Sequence, residues 1–145
     1  MNQSQIIYQI NPSVGNTVLN ALFATAWPEH LFTDFQPSLE RCLAHIAAFD
    51  EFGDGSGDGS GDPSRLVGFV KLAWDGGVHA FLLDTTVELG YQRRGIGRTL
   101  VARAVQVAKM QGCTWLHVDF EPALEGFYAG CCGFQNTRAG LLQLT

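Results

Sequence analysis

Between Val87 and Leu100 the chain reads Val-Glu-Leu-Gly-Tyr-Gln-Arg-Arg-Gly-Ile-Gly-Arg-Thr-Leu, and these residue types at this spacing could hold an anion. Gly95 and Gly97, one residue apart, let the main chain approach a ligand closely. The segment that follows has helical periodicity, and the first turn of a helix leaves its N–H groups without carbonyl partners. Four of the nine lysines and arginines fall here, as Arg93, Arg94, Arg98 and Arg103. Cations beside a helix N-terminus oppose the helix dipole; a phosphate or pyrophosphate held between them removes that conflict. The plain alternative is a solvated arginine-rich turn that only caps the helix. Two other phosphate loops are excluded. A Walker loop needs GxxxxGK[ST], and a dinucleotide fingerprint needs a third glycine where Leu100 stands.

Such a turn has to be held by a strand before it and a helix after it. Val78 to Val87 reads as a strand returning from Leu66–Trp74 through an Asp75-Gly76-Gly77 hairpin. Leu100, Val101, Ala104, Val105 and Ala108 mark one face of a helix that stops at Gly112. Upstream, Ile6–Ile10 is a first strand, Val14 to Ala26 a helix stopped by Trp27-Pro28, and Gln36 to about Leu43 a shorter helix. Ala44 to Phe49 could extend that helix or begin a strand. Downstream, Trp115–Phe120 reads as a strand, Pro122 to about Ala129 as a short helix, and Phe134 to Leu144 as a closing strand or pair of strands. The class is mixed α/β, with helices on a largely antiparallel sheet.

At 145 residues, 46% hydrophobic and 16% charged, the chain is expected to form one domain over 1–145. The Gly-Asp-Gly-Ser repeat at 53–63 buries nothing and reads as a flexible surface loop; a calcium loop is the sharper alternative, but its aspartates stand four apart without the closing glutamate of an EF-hand. A formal charge of −5 argues against partnership with nucleic acid or an acidic membrane surface and favours a cationic substrate. No run of eighteen apolar residues and no signal-peptide pattern occurs, which gives a cytoplasmic expectation. Cys42, Cys113, Cys131 and Cys132 have no zinc-ligand spacing; four free thiols, mostly buried, and no metal are expected.

Gln92-Arg93-Arg94-Gly95-Ile96-Gly97, with Val87 five residues upstream, resembles the central signature of the GNAT superfamily of acyl-CoA-dependent N-acyltransferases. The likeness extends over the early helices, the hairpin from Leu66 to Val87, and the late Phe127-Tyr128 and Gly133-Phe134. It implies a GNAT-like fold with a mixed, mostly antiparallel central sheet of six to seven strands flanked by about four helices. It also implies acetyl-CoA as co-substrate, an N-acetyltransferase acting by direct attack of a primary amine, and a homodimer as a frequent state. By position, Gln92, Arg93, Arg94, Gly95, Ile96, Gly97, Arg98 and Thr99 would take the pyrophosphate, and Val87 and Leu89 the pantetheine arm. A strand N–H near Val87 would hold the oxyanion. Tyr128 matches the tyrosine that protonates the departing thiolate, a step that needs a positioned acid because the leaving group gains charge.

Three positions depart from the family pattern: Leu89 where proline is frequent, Glu121 where asparagine is frequent, and four residues instead of three between Tyr128 and Gly133. Strand alternation puts His79, Phe81, Leu83 and Thr85 on one face and Asp84 on the other. Phe81 and Leu83 occupy the middle, where the family presents a base. His79, or Asp119 and Glu121 acting through water, or unassisted attack by a neutral amine remain open, and His79 and His117 also read as surface or packing histidines. The resemblance places an amine-bearing small molecule or peptide near Trp27, His30, Phe32 and Phe35, which otherwise read as core contacts of the first helix. Two further functions compete, a non-catalytic acyl-CoA-binding domain and a nucleotide-phosphate binder.

Overall fold

The computed structural model describes residues 5–52 and 64–145. The Gly-Asp-Gly-Ser stretch at 53–63, expected as a flexible loop, lies outside them, and so does its calcium alternative. Chain order is β1 (Ile6–Ile10), α1 (Asn16–Ala26), α2 (Gln36–Arg41), β2 (Ala44–Asp50), β3 (Arg65–Trp74), β4 (His79–Val87), α3 (Ile96–Met110) and β5 (Trp115–His117). A π-helical turn, Gly126–Cys131, follows. The sheet order is β1-β2-β3-β4-β5. The first four strands are antiparallel, and β5 runs parallel to β4.

The ambiguous stretch at Ala44–Asp50 is a strand buried on both faces. Two-sided burial removes the alternation that would have marked it, since helices cover both sides of the sheet. On one face Ile96, Leu100, Val101, Ala104 and Ala108 of α3 meet Val70, Leu72, Ala80 and Leu82. Each large side chain so buried contributes about 1.5–3 kcal/mol. Gly68 is the place of closest approach: a Cβ there would stand 2.9 Å from Leu100 Cδ1 and 3.2 Å from Ala48 Cβ. On the other face Leu19, Leu22 and Phe23 of α1 pack with Phe35 on Ala47, Leu66 and Phe69.

β4 carries a bulge. Phe69 pairs with Thr86 and Lys71 with Leu83, so one residue of β3 faces two of β4, and Asp84 takes φ 59°. The extra residue exchanges the faces. Leu82 lies under α3, whereas Thr86 faces α1 and accepts the Trp27 indole N–H at 3.1 Å. The expected run His79, Phe81, Leu83, Thr85 on one face is therefore broken at Thr85, which turns toward Tyr128.

The sheet has five strands among the described residues, not six to seven. β5 ends at His117, and the expected closing strand at Phe134–Leu144 does not form. Gln135 to Gly140 offers no alternating apolar face, and Leu141, Leu142 and Leu144 stay exposed, so nothing there pays for ordering a strand. Three α-helices and the π-helical turn account for the four expected helices. The cysteines are all free, but only Cys113 is buried; Cys42 and Cys132 are half-buried and Cys131 is exposed, against the expectation of mostly buried thiols. No described helix is long and apolar enough to cross a membrane. Among the described residues no group of three or more His, Cys, Asp or Glu could hold a metal ion.

Candidate active site

A 3₁₀ turn, Leu89–Tyr91, carries the chain from β4 toward α3. Two left-handed residues follow, Arg93 at φ 63° and Gly95 at φ 83°, and Gly95 caps the helix. The first helical bonds run from Thr99 N–H and Thr99 Oγ1 to Gly95 O, each at 3.0 Å. Ile96, Gly97 and Arg98 thus present main-chain N–H groups at the head of α3. Space over Gly95 is open to 4 Å, and a Cβ on Gly97 would stand 3.3 Å from Phe127 Cζ and 3.5 Å from Val87 Cγ2. Gln92 Nε2 donates to Val87 O at 3.1 Å, and Arg94 Nη2 donates to Gly90 O at 3.2 Å while its guanidinium lies 4.9 Å from the Tyr91 ring centre. Arg103 lies over Tyr8 instead.

Behind this turn stands a polar anchor that no local pattern of residues announces. Tyr91 O–H donates to Asp50 Oδ2 at 2.6 Å, and Arg65 meets Glu88 at 2.6 Å. The bond to Asp50, with burial, pushes the Tyr91 phenol up to about 12.

β4 and β5 pair only through His79–Trp115, Ala80–Leu116 and Phe81–His117. Past Phe81 the edge of β4 that faces away from β3 opens into a gap. Val87 O, taken by Gln92 rather than by β3, belongs to that edge. Leu89 N–H is directed to Thr25 Oγ1 at 3.4 Å. Tyr128 closes the gap from the far side: it is buried, stacks on Phe120 at 5.1 Å, and meets Phe127 edge-on at 4.8 Å. Burial pushes its phenol up, against a hydrogen bond from Thr85 that pulls it down. The residue added between Tyr128 and Gly133 is absorbed by the π-helical turn, closed by Cys132 N–H to Phe127 O at 3.0 Å. Tyr128, near the start of that turn, still faces β4.

The acceptor-side aromatics divide. Phe35 is core, and His30 is bound by Asn20 Oδ1 at 2.8 Å. Asn20 also holds Thr33 N–H at 2.8 Å and Thr33 O at 2.9 Å, which pins the α1–α2 loop. Trp27 and Phe32 remain exposed. Asp84, expected by alternation on the far face, is brought by the bulge to Lys71, the register partner of Leu83, and is salt-bridged to it at 3.0 Å; Lys71 Nζ also reaches Ser38 Oγ of α2 at 3.3 Å. His79 Nδ1 and His117 Nε2 are 2.8 Å apart, with Phe81 stacked on His117 at 4.7 Å. Sequence alone could not pair them, because the register of β4 against β5 is a long-range fact.

The sequence profile described as the Acetyltransferase (GNAT) family matches residues 17–134. Over 60 residues the chain is 38% identical to glucosamine 6-phosphate N-acetyltransferase 1 of rice, a match covering 40% of this chain and 36% of that one. The chain thus spans little more than a third of that relative's length. A GNAT-family acetyltransferase structure from Streptococcus pneumoniae superposes with a TM-score of 0.68 at 23% identity, covering 97% of this chain and 98% of that one. An aminoglycoside N-acetyltransferase in complex with CoA superposes with a TM-score of 0.68 at 17% identity, covering 99% and 97%.

Proposed function

The chain belongs to the GNAT acetyltransferase family, and from that premise we propose that it moves an acetyl group from acetyl-CoA to a primary amine by direct attack. The observation that carries this reading is the continuity of the head of α3, the unpaired edge of β4 and the Tyr128 hydroxyl along one gap. The residues present fit the co-substrate. Gly95 leaves open space over the turn, and Gly97 lies so close to Phe127 and Val87 that a side chain there would crowd the floor of the gap. The N–H groups of Ile96, Gly97 and Arg98, with Gln92 to Gly95 and Thr99 around them, would hold the pyrophosphate. Val87, and Leu89 to the extent that its N–H leaves Thr25, would line the pantetheine arm. When bound, the co-substrate supplies an activated acyl carbon.

The protein's own part is to place and to protonate. An N–H on the open edge of β4 near Val87 would face the carbonyl oxygen as it gains charge, without reorganising. Tyr128 would give its proton to the departing sulfur. Its raised pKa keeps that proton in place at and above neutral pH, and Thr85 orients the hydroxyl.

Calorimetric titration with acetyl-CoA, wild type beside Gly95→Trp, tests the cradle. Binding by the wild type and its loss in a folded variant is the expected result. No binding by a folded wild type overturns the reading. Glucosamine 6-phosphate and aminoglycosides, named by the relatives, are the first acceptors to try, with cationic amines favoured by the acidic balance of the chain.

A further inference from the structure

The face of β4 that receives the amine has apolar residues where a base would be expected, Phe81 and Leu83, yet a proton must leave the incoming ammonium. Among the described residues on that face, Asp84 is committed to Lys71. Asp119 stands past the end of β5, and its charge acts on the Tyr128 phenol. The histidine pair is differently placed. His117 is stacked on Phe81, the last residue of β4 that pairs with β5, so it borders the point where the two strands part. Ala80 and Leu82 point the other way, into the core under α3, which fixes His79, Phe81 and His117 on the opposite, solvent-lined face.

We propose that His117 and His79 act as one unit, the proton acceptor for the attacking amine. The inference rests on the acetyl-transfer reading above. A 2.8 Å contact between Nδ1 of one imidazole and Nε2 of the other requires one N–H and one lone pair. Whichever ring donates, one outward nitrogen of the pair keeps a free lone pair, His117 Nδ1 or His79 Nε2. A proton taken up there makes the bond between the rings charge-assisted and therefore stronger. Asp75 stands behind the pair: its Oδ1 accepts the main-chain N–H of Gly77 at 2.7 Å and of His79 at 3.3 Å. The Gly77 bond, ahead of the others, holds its carboxyl below the usual range, so it stays an anion beside His79. Lys71, the cation on this face, is neutralised by Asp84.

The protons balance. The ammonium gives one proton through water to the pair, and the neutral nitrogen then forms its bond to the acyl carbon. As the carbon–sulfur bond breaks, Tyr128 gives its proton to the departing sulfur and recovers one from the nitrogen. The third proton stays on the amide, and the exposed pair returns its own to solvent.

Two amines of different basicity test this. Methylamine is protonated at neutral pH, and hydroxylamine is already neutral. With acetyl-CoA saturating, His117→Gln is expected to lower kcat/KM for methylamine by about 100-fold at neutral pH and for hydroxylamine by less than about threefold. The methylamine gap should close as pH rises and the amine loses its proton unaided. His79→Gln should show the same pattern to a smaller degree. An unchanged His117→Gln profile, or an equal loss with both amines at every pH while acetyl-CoA affinity and melting temperature hold, overturns the proposal but not the acetyl-transfer reading. A wild type that transfers to no amine, glucosamine 6-phosphate and aminoglycosides included, overturns both.

Discussion

In the proposed reaction Tyr128 is the acid, and its replacement by phenylalanine removes only an oxygen. Tyr128→Phe should cut turnover by about 100-fold or more, the usual worth of a positioned acid, with acetyl-CoA affinity held; stopped-time thiol release beside calorimetry would check both. Tyr91 makes a different statement. Its phenol, raised from 10.0 to about 12 by the bond to Asp50, contributes stability that is intact below pH 10 and is lost as pH climbs through the folded value. Tyr91→Phe is therefore expected to lower stability by about 1–3 kcal/mol at neutral pH and to flatten the alkaline limb of the melting curve. The turn ahead of α3 was legible because glycines and arginines at fixed offsets are local signals. Asp50 with Tyr91, Asp84 with Lys71, and His79 with His117 were not, because each pair joins residues that only the folded sheet brings together.

At the level of elements, the hairpin of β3 and β4 and the periodic face of α3 could be read in advance, since alternation and helical spacing are physical consequences of one-sided burial. The bulge at Asp84 could not. One extra residue reverses inward and outward for everything after it, and no glycine announces the positive φ. The four-residue spacing between Tyr128 and Gly133 is taken up by a π-helical turn, which local periodicity does not announce. Two elements carry predictions of their own. Gly68→Val should lower the melting temperature through a loss of about 1–3 kcal/mol, because its side chain would meet Leu100, Ile96 and Ala48. Asn20→Leu should cost about 1–3 kcal/mol by leaving Thr33 N–H without a partner. With the α1–α2 loop released, the KM for the amine should rise more than the KM for acetyl-CoA.

Over the whole molecule, charge is unevenly distributed: an acidic chain of formal charge −5 gathers four of its nine basic residues between Arg93 and Arg103. A polyanionic co-substrate would meet a local positive field in an otherwise repelling surround, and that field is screened within about 8–10 Å at ordinary salt. The KM for acetyl-CoA should accordingly rise with added salt while kcat stays level, which a salt series at fixed amine would read. The missing closing strands were illegible for a related reason. A strand at the sheet margin is decided by whether a partner covers it, and no short pattern in Phe134–Leu144 encodes that. β5 is left as the outermost strand of the described sheet, three residues long with Trp115 exposed, and Leu141, Leu142 and Leu144 are exposed as well. Mutual repulsion keeps such a rim apart only while the net charge lasts. Near the isoelectric point of about 5.2 it vanishes, so turbidity should set in there first, and a single lysine on the rim, Trp115→Lys, should widen the range of pH in which the protein stays clear.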